Sequence, residues 1–263
     1  MSGARKADGT SGTRRRCGRG TVHRCAALAA LAYALTALPA ASPVGAQSTP
    51  PWSPASRSGP GAARWLATHA FYRAAIVHAD PQIVFFGDSL VERFPRTGAA
   101  TWRTRELPRG AFASGIAGDT TQNALWRIDN GAFDDVGPRA IVVLVGTNDL
   151  PMSSPPEVAR GIVAVVERLR VHLPSAKILL LGLLPRDDDA VAAASGAVGA
   201  VNAALASTAF DAKVRYRNIT ATLADADGRP ARQLLPDGLH LSAGGYERLA
   251  AAIDGDIDDL TRP

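Results

Sequence analysis

The sequence predicts a three-layer α/β/α sandwich in one domain, with a central, mostly parallel sheet. Short apolar runs recur along the chain, stretches of helical length separate them, and 46% of the 263 residues are apolar, which is ample for a large core. In chain order, the amphipathic stretch Arg64–His78 predicts a first helix and the run Ile83–Phe86 a first strand. A helical stretch follows Ser89, and Ala111–Ser114 is short and extended. Thr121–Asn130 predicts a helix, Ala140–Val145 a buried strand, and Pro156–Leu173 a long helix opened by Ser154 and two prolines, the residue types that suit a helix start. Lys177–Leu181 predicts a strand, the Ala-rich stretch Asp189–Thr208 a helix, Lys213–Arg217 a strand, and Ala243–Ile253 a closing helix. The acidic tail, Asp254, Asp256, Asp258 and Asp259, lacks the glycine and glutamate of a calcium loop and is expected to be a solvated end.

The net charge of +5 and pI near 9.7 belong to the opening of the chain. Residues 1–24 hold seven Lys or Arg against Asp8, and residues 25–46 hold no charge, which leaves 22 basic and 23 acidic residues from Gln47 onward, a net of −1. A nucleic-acid partner loses its support. A basic stretch, then an apolar run from Cys25 to Leu38, then small residues such as Val44-Gly45-Ala46 predict a signal peptide over residues 1–46 and export to the periplasm or beyond the cell. The apolar run is too short to span a bilayer. Residues 47–63, with Pro50, Pro51, Pro54 and Pro60, are expected to be a flexible tether, and residues 64–263 the folded domain. Both cysteines lie in the leader, so the remainder has no thiol, disulfide or cysteine metal site.

Ligands of such sheets sit beyond the carboxyl ends of the strands, which directs attention to the residues after each apolar run. These are Gly87-Asp88-Ser89-Leu90, Gly115-Ile116-Ala117-Gly118-Asp119-Thr120-Thr121 and Gly146-Thr147-Asn148-Asp149, with Asp237-Gly238-Leu239-His240 before the last helix. A serine hydroxyl is a poor nucleophile until a base takes its proton, and the base needs a third group to fix its tautomer. Ser89, His240 and Asp237 are the candidate set. The negative intermediate also needs donors, for which the candidates are the backbone N–H groups of Ser89 and Gly118 and the side-chain amide of Asn148. Asp88 and Asp149 are read as caps of the turns that follow them, and His69, His78 and His172 as structural.

These blocks resemble those of the SGNH (GDSL-type) esterases and lipases. The wider wording over Ile83–Val91, Gly115–Ile128, Val142–Asn148, Leu180–Arg186 and Leu239–Tyr246 is most similar to the catalytic subunits of intracellular platelet-activating-factor acetylhydrolase and their bacterial relatives, across about Asp80 to Ile253. The resemblance implies a flavodoxin-like sandwich, Ser89 as nucleophile, Gly118 and Asn148 as oxyanion donors, and Asp237 and His240 completing the triad. The export leader and the run Asp187-Asp188-Asp189 after Arg186 are departures from the family pattern, and both bear on its lipid substrate.

Other chemistries lack their residues. There is no G-x-S-x-G, GxxxxGK[ST] or GxGxxG, no His-x-x-x-His, and only Lys177 and Lys213 remain after the leader. The expectation is an exported serine esterase without cofactor or metal, acting on a small-molecule ester of short acyl groups, on lipid or carbohydrate, with no stable membrane span once the leader is removed. A non-catalytic carbohydrate- or lipid-binding member of the fold and an acyltransferase using the same triad are the alternatives.

Overall fold

The computed structural model describes residues 49–187 and 194–262. The expected signal peptide and the first residues of the helix placed from Asp189 lie outside them.

Five strands form one sheet in the order β2-β1-β3-β4-β5, and every neighbouring pair is parallel. They are β1 (Ile83–Gly87), β2 (Ala111–Gly115), β3 (Ala140–Leu144), β4 (Lys177–Leu181) and β5 (Val214–Arg217). All five residues of β1 and of β3 are buried, because helices cover both sheet faces and leave no polar side. Alternate residues serve opposite layers. Val84, Phe86, Ile141, Val143, Ile178 and Leu180 pack with residues of α1 (Ala62–Ala79), α3 (Thr121–Asp129), α4 (Pro155–His172) and α5 (Ala194–Ala206). Ile83, Phe85, Val142, Leu144, Leu179 and Leu181 pack with residues of α2 (Ser89–Glu92) and α6 (Ala243–Thr261). The three-layer expectation holds.

Local chemistry sets the helix starts. The Glu157 carboxylate accepts from the N–H and hydroxyl of Ser154 at the head of α4. Thr120 and Asn123 bond reciprocally at the head of α3. The helical stretch after Ser89 is not one helix: α2 gives way to short turns over Phe94–Thr97 and Ala99–Thr101, a π-helical turn over Trp102–Glu106 and a 3₁₀ turn over Leu107–Arg109. Pro95, Gly98 and Pro108 interrupt the register.

Two sequence expectations are corrected. Residues 49–61 do not hang free: Pro51 is buried, Thr121 Oγ1 donates to the Pro51 carbonyl at 2.9 Å, Asn123 Nδ2 donates to that of Ala55 at 3.0 Å, and the Arg160 guanidinium lies 3.8 Å from the Trp52 ring centre. The acidic tail is not a solvated end, because α6 continues to Thr261 on an apolar stripe of Ile253, Ile257 and Leu260, all buried. Its carboxylates meet arginines: Asp256 is held by Arg215 and Arg217 of β5, and Asp254 by Arg105 and Arg109.

Candidate active site

The sheet order reverses direction at β1, whose neighbours are β2 on one side and β3 on the other. The carboxyl ends of these three strands therefore adjoin, and a crevice opens there. Each strand delivers one predicted block. β1 leads into Asp88 and Ser89, β2 into Gly118, and β3 into a 3₁₀ turn, Thr147–Asp149, that contains Asn148.

Gly87 makes the tight exit from β1 possible. A Cβ there would lie 1.9 Å from the Leu144 carbonyl oxygen, so any larger residue would push β1 off β3. Asp88 then caps α2, accepting from the Leu90 N–H at 2.9 Å. Ser89 is the first residue of α2, so its own N–H has no acceptor within the helix.

His240 arrives from the far side of the fold. Asp237 Oδ1 accepts from the backbone N–H groups of Leu239 and His240, at 3.0 and 2.7 Å, and these bonds curl the loop. The same curl sets Asp237 Oδ2 2.8 Å from His240 Nδ1, and His240 Nε2 lies 3.0 Å from Ser89 Oγ. With Nδ1–H donating to the carboxylate, Nε2 is the nitrogen left to accept the serine proton. Burial pushes the Asp237 carboxyl up, but the bonds from His240 and Leu239 outweigh it and hold the group down at about 2. It is therefore an anion at neutral pH. Tyr246 fixes α6 against α2, donating its hydroxyl to the Leu90 carbonyl at 2.8 Å and stacking on Phe94.

The residues predicted as oxyanion donors adjoin a buried network. Asn148 Nδ2 donates to the Asp119 carbonyl at 2.9 Å, which orients the amide, and makes only a long contact of 3.5 Å with Asp88 Oδ2 through its second N–H. Gly118 has φ +76°, the left-handed region that glycine enters without strain. Next to it the Asp119 carboxylate accepts from Trp65 Nε1 at 2.6 Å and Arg127 Nη1 at 2.8 Å, both fully buried. Arg127 also donates to Ser114, at the end of β2, and to the Gly87 carbonyl at 3.3 Å. One guanidinium thus ties the second block to the turn before Ser89.

Asp149 differs from its sequence reading. It accepts from the N–H and hydroxyl of Thr121 on α3, binding the third block to the second instead of capping its own turn. Burial pushes its carboxyl up to about 6, and that of Asp88 to about 7. Buried Arg186 donates to the carbonyl and hydroxyl of Thr147, beside Asn148. His69 is structural as expected, buried between Trp65 and Trp126 with Nε2 at the Asn130 carbonyl. Sequence reasoning missed Trp65, and it missed Arg57, whose Nη2 donates to the Ala117 carbonyl at 3.0 Å. No grouping of acidic, histidine or cysteine side chains suited to a metal ion occurs among the described residues, and none of the described helices is long and apolar enough to cross a membrane.

Residues 85–248 match the GDSL-like lipase/acylhydrolase family. Human platelet-activating factor acetylhydrolase IB subunit alpha2 is 33% identical over 186 residues, 71% of this chain and 80% of that protein. The human alpha1 subunit is 31% identical over 206 residues, 76% of this chain and 88% of its own. Among solved structures, a GDSL-like lipase from Bacteroides thetaiotaomicron superposes with a TM-score of 0.61 at 22% identity, covering 73% of this chain and 97% of that one. A member of the lipolytic G-D-S-L family from Veillonella parvula superposes at 0.54 with 20% identity, covering 66% and 96%.

Proposed function

The chain belongs to the GDSL-like lipase/acylhydrolase family and is a carboxylic ester hydrolase, and from that premise we propose that it cleaves short acyl esters through an acyl-enzyme on Ser89. The observation that carries the reading is the run of contacts from Ser89 Oγ to His240 Nε2 at 3.0 Å and from His240 Nδ1 to Asp237 at 2.8 Å. Ser89 Oγ attacks the ester carbonyl carbon as its proton passes to Nε2. The resulting imidazolium is stabilised by Asp237, and the carbonyl oxygen, now negative, is met by the N–H groups of Ser89 and Gly118 and the Asn148 amide. The C–O bond to the alcohol breaks as Nε2–H protonates it. Water then repeats the sequence on the acyl-serine, with His240 again as base, and releases the acid.

Acetyl is the acyl group favoured, because the curated relatives are named acetylhydrolases. The test is a panel of p-nitrophenyl esters from acetate to palmitate, run beside acetylated sugars. Highest kcat/KM at acetate to butyrate is expected; a maximum at long chains, or no hydrolysis of any ester, contradicts the reading.

We propose further that residues 1–46 direct export, on the strength of their basic and then uncharged sequence. N-terminal sequencing of exported protein should give a start near Gln47. A retained Met1 would overturn this.

A further inference from the structure

Residues 49–58 lie outside the family-matched region 85–248, yet they pack against the second block of the site. Thr49 and Ala55 bond to Gln122, Pro51 to Thr121, and Ala55 again to Asn123. These bonds hold the segment along the head of α3 and aim Arg57 at Gly118. The guanidinium lies so near that a Cβ on Gly118 would be 3.0 Å from Arg57 Nη2. A groove of several hundred cubic ångströms runs between this segment and the block, with Arg57, Ser58, Gly118, Gln122 and Met152 among its walls.

Among the described residues Arg57 is the sole cation of that lining, and Asp149, the sole carboxylate, is only 2% exposed and bonded to Thr121. The Arg57 side chain is 29% exposed. It is not needed to neutralise Asp119, which stands 3.7 Å from Arg57 Nη2 but only 2.8 Å from Arg127. Nη2 faces the protein, while Nη1 and Nε make no hydrogen bond in the described structure. A half-sheltered guanidinium with open donors recognises carboxylate or phosphate oxygens well.

We propose that Arg57 is a specificity-determining residue, binding an anionic group on the substrate, carboxylate or phosphate, in the groove that Gly118 helps to line. The inference rests on the reading of Gly118 as part of the site. It assigns to the Pro- and Ser-rich segment a share in substrate binding, and makes esters with an anionic leaving group the better substrates.

The experiment compares kcat/KM for 4-carboxyphenyl acetate and 4-phosphonophenyl acetate with that for neutral 4-carbamoylphenyl acetate. All three deliver the same acyl group. In the wild type both anionic esters, or one of them, should exceed the neutral ester, and which one does so separates carboxylate from phosphate recognition. Arg57→Gln should lower the anionic-to-neutral ratio about tenfold, the scale of one charged hydrogen bond, and Arg57→Glu further. The wild-type advantage should also shrink in high salt. Arg73→Gln, on the outer face of α1, should leave the ratio as it was. An unchanged ratio in the Arg57 variants, or an equal fall on all three esters, overturns the inference, the second outcome showing that Arg57 only holds the Gly118 loop. Ser89→Ala separates the two readings: if it keeps hydrolysing the neutral ester, the site assignment itself has failed, whatever the Arg57 ratio.

Discussion

At the scale of single residues, the site is built from groups whose remaining valences are already taken. Asn148 Nδ2 donates to the Asp119 carbonyl at 2.9 Å and at 3.5 Å to Asp88 Oδ2, so the amide is fixed before any substrate arrives and an oxyanion would replace the longer contact. Losing one such preorganised donor typically removes about 2.7–4 kcal/mol of transition-state stabilisation, roughly 10²–10³ in kcat. Asn148→Ala should therefore lower kcat by that factor with little change in KM. A rise in KM alone would make Asn148 a substrate contact and place the oxyanion elsewhere. The residues proposed for chemistry were legible in the sequence because each follows directly on an apolar run or opens a helix. Their supports were harder to read. Asp119 and Arg127 are eight positions apart, and nothing in that spacing shows that both face inward to Trp65 and Ser114.

At the scale of elements, the buried runs were legible because helices on both faces demand continuous apolar strands, as in Ile83–Phe86 and Ala140–Leu144. The end of α6 was not: Ile253, Ile257 and Leu260 keep the helical period, but the aspartates between them find their arginines on β5 and the turn before β2, partners that only the tertiary fold supplies. Residues 49–61 were misread for a related reason. Their composition suits a tether, while their anchoring is through carbonyl groups that any residue carries. The π-helical turn holds a further cost. Glu106 is wholly buried, neither carboxylate oxygen has a hydrogen-bond partner, and the nearest cation, Arg109, stands 3.9 Å away. Burial pushes its carboxyl up to about 7, against the opposing pull of Arg109 and with the push of Asp254. A carboxyl raised on folding binds its proton more tightly in the native state, so its contribution to stability is full in acid and falls as pH rises from about 4.5 to 7. For that shift the loss between pH 5 and pH 8 is about 2–3 kcal/mol. Glu106→Gln should lessen the measured decline by about that amount, read from urea unfolding at the two pH values, while the share due to Asp88 and Asp149 remains. An identical decline in wild type and variant would contradict it.

At the scale of the whole molecule, five parallel strands converge their carboxyl ends where the strand order reverses, and α6 closes over one face to bring in the Asp237–His240 loop. Residues 151 positions apart, Ser89 and His240, meet at 3.0 Å only because Tyr246 seats α6 on α2 and the Asp237 curl turns the imidazole inward. The central claim is that this meeting makes Ser89 the nucleophile of a metal-independent esterase. It is tested most directly by labelling with a fluorophosphonate after exhaustive EDTA dialysis, followed by peptide mass mapping of wild type and Ser89→Ala. One adduct per chain on the peptide containing Ser89, full hydrolysis by the dialysed wild type, and neither labelling nor hydrolysis in a folded Ser89→Ala are expected. An adduct on another serine, or chelator-sensitive hydrolysis that survives in Ser89→Ala, would contradict it.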